Sequence, residues 1–263
     1  MRMDYHLHTK FCKHADGEIH EYVRRAIAVG LDEIGFSDHT PMPEWYDPDF
    51  RMELHQLGEY IEMVRNVQKG YPQIKIKLGL EADFFPGTES FVKKIIRKYD
   101  FDYIIGSIHY IGQWGFDNKA NIEEYKRRDI YEVYTQYFEL VKKLARSGLF
   151  DILGHPDVIK KFGFYPDQDY SKLIKEALLE VKKANMVIEV NTSGLRKPCG
   201  EIYPSRMFLT IAKRMGIPIT FGSDAHKPAD TGRDFDKAVA LVKEVGYDKV
   251  VVFNKRKQEF VKI

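Results

Sequence analysis

The amino-acid sequence predicts an α/β protein organised as a (β/α) barrel, and three observations carry that expectation. Short β-rich runs alternate with amphipathic helical stretches along nearly the whole chain, the pattern of βα units feeding a mainly parallel sheet. Seven such runs can be counted in 263 residues, close to the length of about 250 residues at which barrels of this kind form one domain. No internal repeat, low-complexity tract or break in composition marks a second unit, so residues 1–263 are expected to make a single domain.

The strand candidates are residues 3–7, 33–37, 74–81, 103–108, 152–155, 187–191 and 217–223. After the first, Ile19, Val23, Ala26 and Ile27 recur at helical spacing as one apolar face, and Gly30 ends the pattern. Leu173, Ile174, Ala177, Leu178 and Val181 form a second such face, and a helix over 208–215 is cut from the seventh strand by Gly216 and Pro218. A final run, 249–253, would add an eighth strand or an edge. Two connections are longer than βα units need: 40–54, rich in proline and aromatics, and 110–128, which leads into a long helix. Long loops at a barrel rim shape substrate pockets.

Composition narrows the function classes. With 44% hydrophobic and 30% charged residues and no apolar stretch long enough to cross a bilayer, the chain reads as a soluble globular protein without a membrane partner. Met1-Arg2-Met3-Asp4-Tyr5-His6 places charge and histidine where a secretory signal needs an apolar run, so a cytoplasmic protein is expected and the glycosylation match Asn191-Thr192-Ser193 has no chemical meaning. A net charge of +2 argues against nucleic acid as the partner. Cys12 and Cys199 are expected to be free thiols. Cys12 stands between His8 and His14, but no second cysteine lies at ligand spacing, so a thiolate zinc site is not expected. Charged residues are abundant while Asn and Gln are few, a balance seen in heat-adapted proteins.

The histidines bring chemistry into view. His6 and His8 lie two apart on the first strand, so their side chains face the same way. His39 follows the second strand, Glu81 ends the third, His109 follows the fourth, His155 ends the fifth, and Asp224 and His226 follow the seventh. Six of the seven strands thus terminate in a metal-competent group. In a (β/α) barrel those ends converge on one face, where active sites are built. Imidazole and carboxylate donors with so little thiolate suit zinc, iron or manganese in a catalytic rather than a structural site. His20 and His55 fall in helical stretches away from strand ends and are set aside.

In this order, His6-Leu7-His8-Thr9, Ser37-Asp38-His39, Glu81, His109, Gly154-His155-Pro156 and Ser223-Asp224-Ala225-His226 resemble the polymerase and histidinol phosphatase (PHP) superfamily over almost the full chain. The segments running from His8 to Ala15, from Gly35 to His39 and from Asn191 to Pro198 look most like its stand-alone histidinol-phosphate phosphatases. The resemblance implies a distorted (β/α)7 barrel holding two to three divalent transition-metal ions. One ion would take His6, His8, Glu81 and Asp224, and Glu81 would bridge to a second held by His109 and His155. The third would take His39, His226 and one residue after His8, for which His14 is preferred over Asp16 on its spacing.

Hydrolysis of a phosphate monoester needs a nucleophile available near neutral pH and positive charge around the phosphoryl oxygens, and metal ions supply both. The implied reaction is conversion of L-histidinol phosphate to L-histidinol and phosphate, a step in histidine biosynthesis, through attack by a hydroxide held between metal ions, with Glu81 and Asp224 as the central carboxylates. Arg196, after the sixth strand, is the first choice to bind phosphate because a guanidinium engages two oxygens at once; Lys160 is the second. Asp38 precedes a ligand and is given no role. Acidic or aromatic groups in 40–50 or 110–116 are the suspects for reading the amino-alcohol end of the substrate. The alternative within the superfamily is a nuclease or nucleotide phosphatase. An amidohydrolase-type barrel is disfavoured because the fourth strand ends in Ser107-Ile108-His109, without that class's lysine or carboxylate. A non-catalytic accessory domain would be expected to have lost ligands that this chain keeps.

Overall fold

The structure, a computed structural model, describes residues 2–263. Its strands are β1 (Met3–Leu7), β2 (Glu33–Phe36), β3 (Lys75–Asp83), β4 (Tyr103–Ser107), β5 (Tyr110–Ile111), β6 (Trp114–Gly115), β7 (Ile152–Leu153), β8 (Val187–Asn191), β9 (Ile219–Gly222), β10 (Lys249–Asn254) and β11 (Lys257–Lys262). Seven of them form one sheet in the order β1-β2-β3-β4-β7-β8-β9, every neighbouring pair parallel. The sheet curls until its first strand meets the chain just beyond its last. Leu7 bridges Ala225, with His8 N donating to Ala225 O at 3.0 Å and Ala225 N donating to His6 O at 3.1 Å. The barrel is therefore nearly closed, and its seam lies between the segments that carry His6, His8, Asp224 and His226.

Seven helices, α1 (Ile19–Ala28), α2 (Leu57–Gly70), α3 (Glu89–Lys98), α4 (Ile130–Ser147), α5 (Ser171–Lys183), α6 (Arg206–Arg214) and α7 (Phe235–Val245), bury apolar stripes against the sheet and one another in one continuous core. In α1 the stripe is Ile19, Tyr22, Val23 and Ala26; Ile27, expected inside, is exposed. A capping box of Glu18 and Glu21 starts α1, and Gly30, at φ +72°, turns the chain after it. Among the described residues no helix is long and apolar enough to cross a membrane.

Two expectations are corrected. The run at 249–253 is neither an eighth barrel strand nor an edge of that sheet. It is β10, paired antiparallel with β11 as a separate hairpin that caps the end of the barrel where the strands begin. Asp102 and Asp151, just before β4 and β7, take the turn: Asp102 O accepts from Arg256 N at 2.7 Å, and the Asp151 carboxylate accepts Arg256 Nε at 2.8 Å and Nη2 at 3.0 Å. The expected third strand, 74–81, continues through Asp83, so Glu81 lies within a strand rather than at its end. The long connection after β4 also has structure of its own, a β5–β6 hairpin and a 3-10 segment over Lys119–Arg127, before α4 begins.

Candidate metal centre and substrate cavity

The strand ends bring the predicted donors to one point. The carboxylate of Glu81, 1% exposed, is surrounded by five imidazoles. Its Oε1 lies 3.0 Å from His155 Nε2 and 3.7 Å from His109 Nε2, and its Oε2 lies 3.2, 3.4 and 3.0 Å from His6 Nε2, His8 Nε2 and His39 Nδ1. Asp224 Oδ1 stands 3.4 Å from His8 Nε2 and 3.9 Å from His6 Nε2. Ligand atoms within 4.8 Å of one another group as His6, His8 and Glu81; as Glu81, His109 and His155; and as His14, His39 and His226. His14 joins the third group, whereas Asp16 is 71% exposed and pairs with Lys227 at 3.2 Å. His20 meets Tyr71 on the surface and His55 stands exposed beside Glu53; neither approaches the cluster. Cys12 is buried next to it, its sulfur within the same reach of His8 and His226, and both cysteines are free.

Backbone geometry shows what this convergence requires. His155 at φ +22° and Asp224 at φ +53° occupy the left-handed region, which side chains with a Cβ enter at a cost and which gathers at functional sites. Gly222 is glycine because a Cβ there would stand 1.9 Å from Glu189 Oε1 and 2.7 Å from His6 Cβ.

The buried polar atoms test whether metal ions fit. Among the described residues eleven buried side-chain N and O atoms lack a hydrogen-bond partner, and seven belong to this cluster: His6 Nε2, both ring nitrogens of His8, His39 Nδ1, Glu81 Oε2, His155 Nδ1 and His226 Nε2. Buried polar groups are otherwise almost always satisfied, and four of the seven, His6 Nε2, His8 Nε2, His39 Nδ1 and Glu81 Oε2, meet at one point, an arrangement that fits metal ligation. The titration pattern agrees. Burial alone would lower His6 and His8, yet the carboxylates, Glu189 and Glu81 for His6 and Asp224 and Asp38 for His8, hold both well above the ordinary range. Burial, which dominates at His39 and His226, keeps those two well below it. Burial would also raise Glu81, but the imidazoles of His39 and His6 outweigh it and hold the carboxyl well below its usual value. Protons leave such a cluster divided, while divalent cations satisfy every donor at once.

Sequence reasoning missed the groups that orient these ligands. Glu189 on β8 accepts from His6 Nδ1 at 2.6 Å and from the His155 backbone N–H at 2.7 Å, tying the ends of three strands together. Its signal was available: Glu189 is a lone acid in the buried apolar run Val187–Asn191, on the one strand that seemed to end without a donor. Asp83, two residues beyond Glu81 and so on the same face of β3, accepts His109 Nδ1 at 2.9 Å, Tyr46 OH at 2.6 Å and Arg51 Nη2 at 3.0 Å. Asp38 takes the Thr9 backbone N–H at 3.0 Å and stands 3.6 Å from His8 Nδ1.

A cavity of about 440 Å³ opens over the cluster. Arg196 lines it with Lys161, Lys197 and Ser193. The guanidinium of Arg196 is steadied by Ser223 O at 2.7 Å and stands 3.8 Å from Asp230. Lys160 is not brought to the cavity: at 1% exposure its ammonium is held by Asp157 at 3.1 Å, Glu201 at 2.9 Å and Ile202 O at 3.0 Å. Its neighbour Lys161 faces the cavity instead, bonded to Asp117 O at 2.6 Å.

Comparison with known proteins agrees with this geometry. The model of the PHP domain matches residues 4–193, and that of a PHP-associated region matches residues 206–234. A probable histidinol-phosphatase of Deinococcus radiodurans is 46% identical over 97% of this chain and 98% of its own length. The histidinol-phosphatase of Bacillus subtilis is 28% identical over 89% and 97%. The crystal structure of histidinol phosphate phosphatase from Lactococcus lactis, complexed with zinc, L-histidinol and phosphate, superposes with a TM-score of 0.84 at 27% identity, covering 98% of each chain. Family model, full-length relatives and solved neighbour point the same way as the donor cluster, and the chain belongs to the PHP domain family.

Proposed function

We propose that this protein is a metal-dependent phosphomonoesterase that hydrolyses L-histidinol phosphate to L-histidinol and phosphate, a step of histidine biosynthesis carried out in the cytoplasm. The observation that carries the reading is the Glu81 carboxylate ringed by five imidazoles at the floor of a cavity whose wall bears Arg196, Lys161 and Lys197. The relatives named above supply the substrate.

Two to three divalent transition-metal ions, of zinc, iron or manganese, fit the donors. His6, His8, Glu81 and Asp224 would hold one, Glu81 with His109 and His155 a second, and His14, His39 and His226 a third. Bound there, such ions lower the pKa of water toward neutrality and offset the charge of the phosphoryl oxygens. The chain's own residues do the rest. Glu189 and Asp83 fix the orientation of His6 and His109, so the donors are in place before substrate arrives. Arg196, held by Thr192 O at 3.4 Å and Ser223 O at 2.7 Å, would offer its remaining N–H groups to the non-reacting phosphate oxygens, and Lys161 and Lys197 add positive charge to the cavity. Ser193 donates to Asp224 Oδ2 at 3.2 Å, leaving Oδ1 toward His6 and His8.

Phosphate release from L-histidinol phosphate, nucleoside monophosphates and a labelled oligonucleotide tests the reading with the zinc-, manganese- and iron-loaded protein. The highest kcat/KM is expected on L-histidinol phosphate. Faster cleavage of the oligonucleotide would replace it with the nuclease alternative.

A further inference from the structure

The cavity is charged differently on its two sides, and the strand order says which sides these are. Arg196 and Lys197 follow β8, while Asp47 and Arg51 lie in the long loop after β2 and Asp83 at the end of β3, across the mouth of the ring. A phosphate bound at Arg196 would direct the organic end of its ester toward the Asp47 wall.

Three carboxylates outside the metal cluster line the cavity, and their partners distinguish them. Asp117 is met by the Lys161 ammonium, which reaches its carbonyl at 2.6 Å and its carboxylate at 3.3 Å. Asp230 takes Arg233 Nη1 at 2.7 Å and faces Arg196 at 3.8 Å. Asp47 is met by Arg51 Nη2, at 3.3 Å, a nitrogen that lies closer to Asp83, at 3.0 Å, and by the Tyr110 phenol. One guanidinium thus serves two carboxylates, and the Asp47 carboxylate, which can accept about four hydrogen bonds, keeps part of its capacity for the cavity. Two rings line the cavity with it: Phe50, whose backbone N–H bonds Asp47 O at 3.3 Å, and Tyr110, whose phenol bonds the Asp47 carboxylate. A carboxylate in a cavity that also holds aromatic rings is a site for a small organic cation.

We propose that Asp47, which lines the cavity with Phe50 and Tyr110, selects substrates that carry a protonated amine on the alcohol side of the phosphate ester. The assignment rests on the function proposed above and narrows it to one specificity-determining residue. Arg51 supports Asp47 from behind. Its guanidinium also bonds Thr40 O at 3.3 Å and lies 4.7 Å from the centre of the Tyr46 ring, so the loop presents Asp47 from a fixed position.

The test compares wild type with Asp47→Asn on L-histidinol phosphate and on its deamino analogue, 3-(imidazol-4-yl)propyl phosphate. Asn tolerates the left-handed backbone of residue 47, at φ +47°, as Asp does, so the substitution removes charge and keeps shape. The variant is expected to lose about ten- to a hundredfold in kcat/KM on the aminated substrate, chiefly through KM, and to be unchanged on the analogue. Zinc content and Tm should match wild type. Equal losses on both substrates would make Asp47 a support for the Arg51–Asp83–His109 chain and overturn the proposal, as would no loss or a wild type indifferent to the amine. Ethanolamine phosphate and ethyl phosphate are run in parallel. If neither imidazole substrate turns over, the proposed function falls, and this second pair decides the role of Asp47 on the same criterion.

Discussion

The two ends of the barrel are built from the same strands and obey opposite rules. Where the strands begin, Tyr5 and Tyr103 stack with ring centres 4.8 Å apart, Phe253 of the capping hairpin packs on both, and the polar atoms of the two tyrosines are satisfied. Tyr103 OH donates to Tyr5 O at 2.7 Å, while Tyr5 OH donates to Glu33 and accepts from Phe253 N at 3.1 Å. Where the strands end, β1 gives His6 and His8 and β4 leads to His109, in a cluster with seven unpartnered atoms and two residues at positive φ. One end stabilises by filling space and pairing the hydroxyls it buries on Tyr5 and Tyr103; the other gathers donors suited to a ligand. Division of labour between the two faces of a barrel is a general property of the fold, and here single strands are split between the two tasks.

That contrast can be broken first at Glu81. Glu81→Gln is expected to lower turnover by at least about a hundredfold, beyond the 10- to 100-fold typical of groups one bond further from a metal, and to lower the two to three ions per chain expected by elemental analysis. Normal turnover and metal content in a folded variant would remove Glu81 from the centre. The opposite end is probed by Tyr103→Ala, which empties the space against Gly35 and Gly79, where a Cβ would already meet the Tyr103 ring within 3 Å. It should cost about 3 to 5 kcal/mol in urea denaturation while metal per folded chain stays constant. Loss of metal affinity in the folded fraction would show that the two ends are coupled.

Smaller effects sharpen the comparison. Glu189→Gln and Asp83→Asn keep the side-chain shapes but remove the charge behind His6 and His109, so each should weaken metal binding about 10- to 100-fold in a competition titration with a chelator. Unchanged affinity would reduce both to packing roles. Arg196→Ala should leave metal content alone and lower kcat/KM at least about tenfold, or roughly 1.5 to 3 kcal/mol, with Lys recovering part of the loss. A well-folded Arg196→Ala protein with normal kcat/KM on L-histidinol phosphate would return phosphate binding to Lys161 and Lys197.

Much of this was legible because period and position are written in the chain. Alternation of β-rich runs with amphipathic stretches gave the seven barrel strands, and histidines at consecutive strand ends had to meet once the sheet curled. What escaped has local physical reasons. The β10–β11 hairpin turns at Lys255 and Arg256, φ +49° and +63°, a conformation usually announced by Asn-Gly or Asp-Gly, and no such signal marks it. Lys160 and Lys161 are indistinguishable as letters, yet they end a 3-10 turn, Val158–Lys160, where successive side chains point about 120° apart, so one enters the core and the other the cavity. Glu189 sits mid-pattern in a buried strand, two residues short of the strand end where the other donors stand.

The seam through Leu7 and Ala225 gives the molecule a timetable during synthesis. His6 and His8 leave the ribosome more than 200 residues ahead of Asp224 and His226, so the centre has neither its full donor set nor its closing bridge until those residues have been made. Loop entropy rises only logarithmically with length, so the delay adds little to the thermodynamic cost of closure, but a contact spanning over 200 residues is slow to form. A chain terminated before Asp224 would lack the closing bridge and the carboxylate that faces both His6 and His8, and an incomplete copy could not pass as a working enzyme.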